Sequence, residues 1–285
     1  EHVGADVDIE EASAVGGGCI SPTARIESGA GPFFLKWGRP DLPAGLLSAE
    51  ARGLTRLAAA GAVRVPAVVA VAPAEPAEPA WLLLEWLEPG PPGPDAWPRL
   101  GRDLARLHRQ RADRFGAERD NYIGSLPQRN ERVADWADLW RRLRLEPQAR
   151  QAADRGLLDA DDARRLDRLY DRLPELLAPA LDDGPSLLHG DLWGGNVHML
   201  ADGTPAIIDP SVYHGHREVD LAMAELFGGF GTGFRAAYEE AWPLLPGYAP
   251  TRRAVYQLYY LLVHVNLFGT GYVSGTRRAL AEAGV

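Results

Sequence analysis

Leu100, Leu104 and Leu107 recur at i, i+4 and i+7 and predict an amphipathic helix that ends near His108. Further helical periodicity runs through residues 136–145 and 159–177, with apolar positions on one face and Arg or Asp on the other, and returns over 221–227 and 251–268. Upstream the pattern is that of strands. Residues 24–28 and 33–37 flank a Gly-Ala-Gly-Pro turn and predict a hairpin, led by the glycine-rich stretch 16–21. Residues 63–71, with Pro66 inside, read as an edge strand, and 81–87 as a stronger one. Between these strands, Glu50 opens an Ala- and Leu-rich helical stretch, 50–58. The run Glu88-Pro89-Gly90-Pro91-Pro92-Gly93-Pro94 can continue neither a sheet nor a helix interior and divides the chain into 1–88 and 89–285. An α+β fold follows: a small β-rich part carrying one helix, then a larger and mostly helical part.

Composition narrows the function classes. With 285 residues, 46% of them hydrophobic, the chain has enough apolar surface for a sizeable core. A net charge of −9, with arginines scattered among acids, gives no footprint for nucleic acid. No apolar run approaches the roughly 20 residues that span a bilayer, and residues 1–11 lack a signal-peptide pattern. One cysteine, Cys19, excludes an internal disulfide framework and a multi-cysteine zinc site, so the cytoplasm is the expected compartment. His214 and His216 lack a third and fourth ligand at metal-site spacing, and Asp161-Asp162 suits a helix start better than a metal pair.

The chemistry concentrates in His189-Gly190-Asp191-Leu192-Trp193-Gly194-Gly195-Asn196 and in Ile207-Ile208-Asp209. Phosphoryl transfer leaves little covalent work for a protein: it must position a hydroxyl and hold Mg²⁺ against triphosphate charge. Asp191 suits acceptance of a hydroxyl proton, while Asn196 and Asp209, the latter closing a buried strand over 206–208, offer hard oxygen ligands to the metal. Glycines such as Gly16, Gly17 and Gly18 let backbone N–H groups approach phosphates, although three glycines alone more often make a flexible turn. Lys36, closing three apolar strand residues, reaches for the same phosphates, and Glu50 can pair with it to fix a flexible head group. Just before the Pro-rich run, the backbone of Glu85 and Leu87 is placed to meet adenine. His108 reads as a helix-end residue and not as a ligand.

The order of these parts is that of the protein-kinase-like fold, and the finer wording resembles the fructosamine kinase (ketosamine-3-kinase) family. The resemblance rests on Gly16-Gly17-Gly18-Cys19-Ile20-Ser21, Asn121-Tyr122-Ile123-Gly124, Pro127-Gln128-Arg129-Asn130, the loop 187–197, Asp209-Pro210, Tyr213-His214-Gly215-His216-Arg217-Glu218, Leu226-Phe227-Gly228-Gly229-Phe230 and Tyr256-Gln257-Leu258-Tyr259. It implies a bilobal enzyme that uses ATP and Mg²⁺ to phosphorylate the 3-hydroxyl of a sugar joined to an amine, either a small ketosamine or a glycated protein. By that resemblance Asp191 is the base, Asn196 and Asp209 hold metal, Lys36 and Glu50 clamp phosphates, His189 braces the loop and Asp220 anchors its backbone. Asp209-Pro210-Ser211 stands where protein kinases have Asp-Phe-Gly, which removes the Phe that regulates them. Trp193 is the expected sugar wall, with His264 and Asn266 as hydrogen-bonding candidates. Cys19, in the glycine-rich loop, is a candidate for reversible oxidation. A kinase of aminoglycosides or choline-like alcohols, and a nucleotide-binding scaffold without activity, are the competing readings.

Overall fold

The computed structural model describes residues 9–16, 20–76 and 78–285. Strands β1 (Ile9–Ala14), β2 (Thr23–Ser28) and β3 (Phe33–Trp37) are followed by helix α1 (Leu46–Ala60), then β4 (Val68–Ala72) and β5 (Trp81–Glu85). The strands form one antiparallel sheet in the order β1-β2-β3-β5-β4, which puts β4 at an edge, as its neighbouring proline implies. Alternation decides the buried face: Leu82 and Leu84 of β5 turn inward against Leu47, Leu54 and Leu57 of α1. Helix α1 begins at Leu46, a turn earlier than the sequence pattern suggests, because buried Leu47 already belongs to its apolar face. Glu50 therefore lies within the helix, where its side chain is rigidly aimed. The helix stops at Gly61 in the left-handed region, φ 61°.

The Pro-rich stretch is more than a tether. Gly90 N–H donates to Met199 O (2.9 Å), Ala201 N–H to Glu88 O (2.8 Å) and Gly93 N–H to Gly203 O (3.2 Å), fastening it to the hairpin of β9 (Val197–Met199) and β10 (Pro205–Ile207). A side chain at Gly90 would run into Ala201 Cα at 2.6 Å, so this seam requires glycine.

Helix α2 (Ala96–His108) buries Leu100, Leu104 and Leu107 completely, as their spacing predicts. The hairpin β6 (Asn121–Ile123) and β7 (Leu126–Gln128) leads to α3 (Trp136–Leu139), a π-helical turn (Trp140–Leu145) and α4 (Glu146–Asp154). The helix thus outruns the predicted end at 145. Pro147 is tolerated because it falls in the first turn of α4, just after a widened turn in which the hydrogen-bond pattern has already shifted. Helix α5 (Ala160–Leu176) starts with a capping box between Asp159 and Asp162, and Asp162 also binds Arg277, so the acidic pair serves the helix start. Then come α6 (Pro179–Asp183), β8 (Ser186–Leu188), β11 (Tyr213–Gly215), α7 (Glu218–Phe227), α8 (Phe234–Ala241), α9 (Arg253–Phe268) and α10 (Val273–Glu282). The three-residue strands are too short for any periodicity to announce them.

One core cluster lies among the later helices, around Trp136, Trp140, Tyr256 and Tyr259. A second joins Leu54 and Leu82 to Leu104, Leu187, Leu192 and Ile207, crossing the Pro-rich stretch and pinning the residues beside Asp191 and near Asp209. The chain adopts the expected α+β, kinase-like architecture. No helix among the described residues is long and apolar enough to cross a membrane.

Candidate active site

The loop after β8 is held from below by one carboxylate. Asp220, in the first turn of α7, accepts from His189 N–H and Gly190 N–H, both at 2.8 Å. Its Oδ2 also accepts from His108 Nε2–H (3.1 Å), while His108 Nδ1 accepts from the Tyr238 hydroxyl at 2.8 Å. Burial lowers the His108 pKa, opposed by Asp220, and a neutral imidazole can both donate and accept as found. Gly190 has φ +83°, and a Cβ there would meet Ser211 O at 2.1 Å. Only glycine allows the loop to press this closely on the Asp209 segment. His189 spans the same gap: its Nε2–H donates to Ile208 O (2.8 Å) and its Nδ1 accepts from Asp191 N–H (3.2 Å). Burial likewise depresses its pKa.

Asn196 ties the loop to itself. Its Nδ2 donates to Asp191 O (2.8 Å) and to Asp191 Oδ2 (3.3 Å), and its carbonyl accepts from Ile208 N–H (3.0 Å). The amide oxygen has no hydrogen-bond donor among the described residues, which leaves it as an acceptor. Asp209 adopts φ 54°, the only non-glycine positive φ among the described residues, which swings its carboxylate toward Lys36. Lys36 Nζ donates to Glu50 Oε1 at 2.7 Å and to Asp209 Oδ1. Burial alone would lower the Lys36 pKa, but the two carboxylates outweigh it and push it up. Helix α1 can approach because Gly53 has no side chain: a Cβ there would stand 3.2 Å from both Pro210 Cγ and Val212 Cγ2. Asp191 is pushed up to about 7, first by burial and then by Asp209. Glu50 rises to about 7 for the same first reason, with Lys36 pulling against it.

Lys36, Glu50, Asp191, Trp193, Asn196 and Asp209 line one cavity. An adjoining slot shares Lys36 and Asp209 and extends past Gly16, Phe34, Glu85 and Leu87 to His198. Gly17, Gly18 and Cys19 lie outside the described residues. In the slot, the Glu85 carboxylate is occupied by Arg64 and by Ala67 N–H (3.0 Å), and Glu85 N–H donates to Ala67 O (2.9 Å), leaving its backbone carbonyl to a ligand. Leu87 O already accepts from His198 Nε2–H (3.0 Å), so Leu87 has its N–H to offer. Asn266 is a correction. Its Nδ2 donates to Gln148 O (2.9 Å) and Gln148 Oε1 (2.8 Å), deep against α4. Positions 264 and 266 cannot share a helix face, and only His264 turns toward Trp193, with the Phe227 ring between them. His214 lies in strand β11 and not in a loop, meeting Arg56, while His216 just beyond the strand meets Asp183 and Tyr256; no group of three or more His, Cys, Asp or Glu forms a metal cluster among the described residues.

Sequence reasoning missed the wall opposite Trp193. Asn121 and Tyr122 on the β6–β7 hairpin line the cavity, with Asn121 Nδ2 donating to Val212 O (3.0 Å) and Ser211 Oγ donating to Tyr122 O (2.5 Å). Behind them Gln128 and Asn130 both donate to Asn121 Oδ1 at 2.9 Å, and Arg144, fully buried without a carboxylate partner, donates to Asn130 Oδ1 at 2.7 Å. The stretches 121–124 and 127–130 were legible as family wording only. Their chemistry is a network between residues that no local pattern links.

The chain is similar to known proteins over nearly all of its length. The sequence model of the fructosamine kinase family matches residues 1–283. A probable ketoamine kinase of Synechocystis is 38% identical over 96% of this chain and 90% of its own length. A chloroplastic protein-ribulosamine 3-kinase of Arabidopsis thaliana is 36% identical over 95% of this chain and 82% of its own. A crystal structure of a candidate fructosamine-3-kinase from Thermobifida fusca superposes with a TM-score of 0.85 at 37% identity, covering 97% of this chain and 94% of that one.

Proposed function

The chain belongs to the fructosamine kinase family, and from that membership we propose that it transfers the γ-phosphoryl group of ATP to the 3-hydroxyl of a ketosamine, a fructosamine or ribulosamine, as a step in deglycation. One observation carries the reading: Asp191, Asn196 and Asp209 face a single cavity that also holds the Lys36–Glu50 pair. Asp191 takes the proton of the acceptor hydroxyl as its oxygen attacks the γ-phosphorus, the β,γ-bridging P–O bond breaks, and ADP departs with that electron pair. Lys36 neutralises α- and β-phosphate oxygens, and Glu50 holds its ammonium in place. The base sits in the slot beside Phe34 and the backbone of Glu85 and Leu87, and Gly16 opens the phosphate-binding turn.

Mg²⁺ fits the donors present. The amide oxygen of Asn196 and the second carboxylate oxygen of Asp209 are hard ligands on one side of the cavity, and Mg²⁺ prefers one or two protein ligands plus phosphate oxygens to an all-protein cage. Bound there, it would offset charge on the transferring phosphoryl group. His189 keeps the Asp191 and Asp209 segments in register from beneath. We place the lobe boundary at 88/89 and the reaction in the cytoplasm; a single cysteine suits a reducing compartment.

The test is ADP release against a panel of fructosamines, ribulosamines, aminoglycosides and choline, with the phosphate position assigned by NMR. Phosphorylation of ketosamines at the 3-hydroxyl is expected. Turnover of antibiotics or choline alone would replace this reading with another small-molecule kinase.

A further inference from the structure

Trp193, two residues past Asp191, lines the same cavity and is the inner end of an aromatic ledge. The Phe227 ring stands 6.5 Å from it, centroid to centroid, and nearly perpendicular. Next comes His264, 4.6 Å from Phe227, and then Tyr272 and Phe268, at 4.9 and 5.4 Å from His264. The ledge runs outward into solvent: Phe227 is 38% exposed and Phe268 61%. Exposed aromatic surface continuous with an active-site cavity carries a solvation cost that an isolated apolar residue does not, and such patches mark binding sites.

The inner part of the ledge is fixed relative to the chemistry. Helix α7 ends at Phe227, and the two glycines after it adopt φ +68° and +91°. That turn lets Gly229 press on the catalytic loop so closely that a Cβ there would meet Gly194 Cα at 2.9 Å. The position of Phe227 therefore follows that of Asp191. His264 Nδ1–H is spent on Tyr260 O (2.8 Å), which leaves Nε2 as an acceptor within the aromatic group. Burial lowers the His264 pKa, so the ring brings no positive charge to the ledge.

Resting on the ketosamine reading, the geometry points to this ledge as the subsite for the amine-bearing arm of the acceptor, the methylenes and ammonium of a glycated lysine side chain. In a ketosamine the nitrogen is only a few bonds from the carbon carrying the 3-hydroxyl. With that oxygen at Asp191, the arm must leave the cavity past a neighbour of Asp191, and Trp193 with Phe227 is the wall that continues to the surface. Aromatic faces attract a secondary ammonium and pack its alkyl chain, and a polypeptide attached to that chain stays outside the cavity.

The experiment compares two acceptors with the same sugar, one on Nα-acetyl-lysine and one on methylamine, in the wild-type protein and in Phe268→Ala, Phe268→Tyr and Phe227→Ala. Phe268→Ala is expected to raise KM for the lysine adduct about three- to tenfold, with kcat, KM for ATP and the methylamine adduct within twofold, and Phe268→Tyr to restore the wild-type value. Phe227→Ala should act in the same direction on the lysine adduct. Because Phe268 is mostly exposed, its loss should leave the thermal midpoint unchanged, which separates binding from folding. Equal effects on both adducts, or none on either, would overturn the subsite. A sedimentation shift from dimer to monomer without a change in KM would give the ledge to a second copy of the chain instead. If the wild-type protein turned over neither adduct while phosphorylating other alcohols, the ketosamine reading would fall and take the ledge with it.

Discussion

Asp191 has two burdens, the catalytic one proposed above and a thermodynamic one. Burial and Asp209 hold its pKa at about 7, so at pH 8 the nucleotide-free fold carries a charge it disfavours. Asp191→Asn is expected to lower kcat by roughly two orders of magnitude or more while ATP still binds, and to raise the urea midpoint at pH 8. Equal loss of ATP binding would mean that the variant is misfolded. The histidines work with the opposite sign. His108, His189, His214 and His264 are all lowered from 6.5 by burial, His214 to about 4, so the unfolded chain binds protons first. Their stabilisation is complete above pH 6.5 and is lost as pH falls toward 4. Asp191 and Glu50, raised to about 7, are protonated more readily when folded and add stability over the same descent. Urea midpoints of Asp191→Asn should therefore drop more steeply from pH 7 to 5 than those of the wild-type protein; parallel curves would contradict the raised pKa. That Lys36, Asn196 and Asp209 belong to one cavity was legible from residue type and local setting, whereas Glu50, which alone reads as a solvated helix face, was legible only from its place in the order of parts. His108 was not, since its partner Asp220 is remote in the chain, and Asn266 failed on helical phase.

At the scale of elements, long periodic helices such as α2 were readable, while the β6–β7 hairpin and the short strands around the catalytic loop were not, because three residues carry no period. Helix α1 shows how an element transmits to the site. Gly53 allows it to lie on Pro210 and Val212, which brings Glu50 within 2.7 Å of Lys36. Gly53→Val would force these surfaces apart, at a cost of about 1–3 kcal/mol. KM for ATP should rise several-fold with it, since the Lys36 ammonium would lose its brace. Chemical denaturation and initial rates check both, and a destabilised variant with unchanged KM for ATP would show that the clamp does not depend on how closely α1 packs.

For the molecule as a whole, the order of parts revealed the architecture, but no pattern along the chain showed how firmly they are joined. Leu54 and Leu82 share a core with Leu104, Leu192 and Ile207, so residues 1–88 would expose part of their apolar interior on separation. Unfolding in urea should be a single transition, with tryptophan fluorescence and helical circular dichroism coincident; two resolved steps would show independent units. The seam described above adds a mechanical asymmetry. Glu88, Gly90 and Gly93 are bonded to the β9–β10 hairpin, Leu87 to His198, and Ile207 N–H donates to Arg64 O at 2.9 Å, all along the flank where we propose that the purine sits. A door hung on that side swings widest at the opposite edge, where Gly45 in the first part of the chain meets the Tyr122 hydroxyl in the second. On the function proposed above, sugars then come and go through the wide gap while the nucleotide stays seated at the hinge.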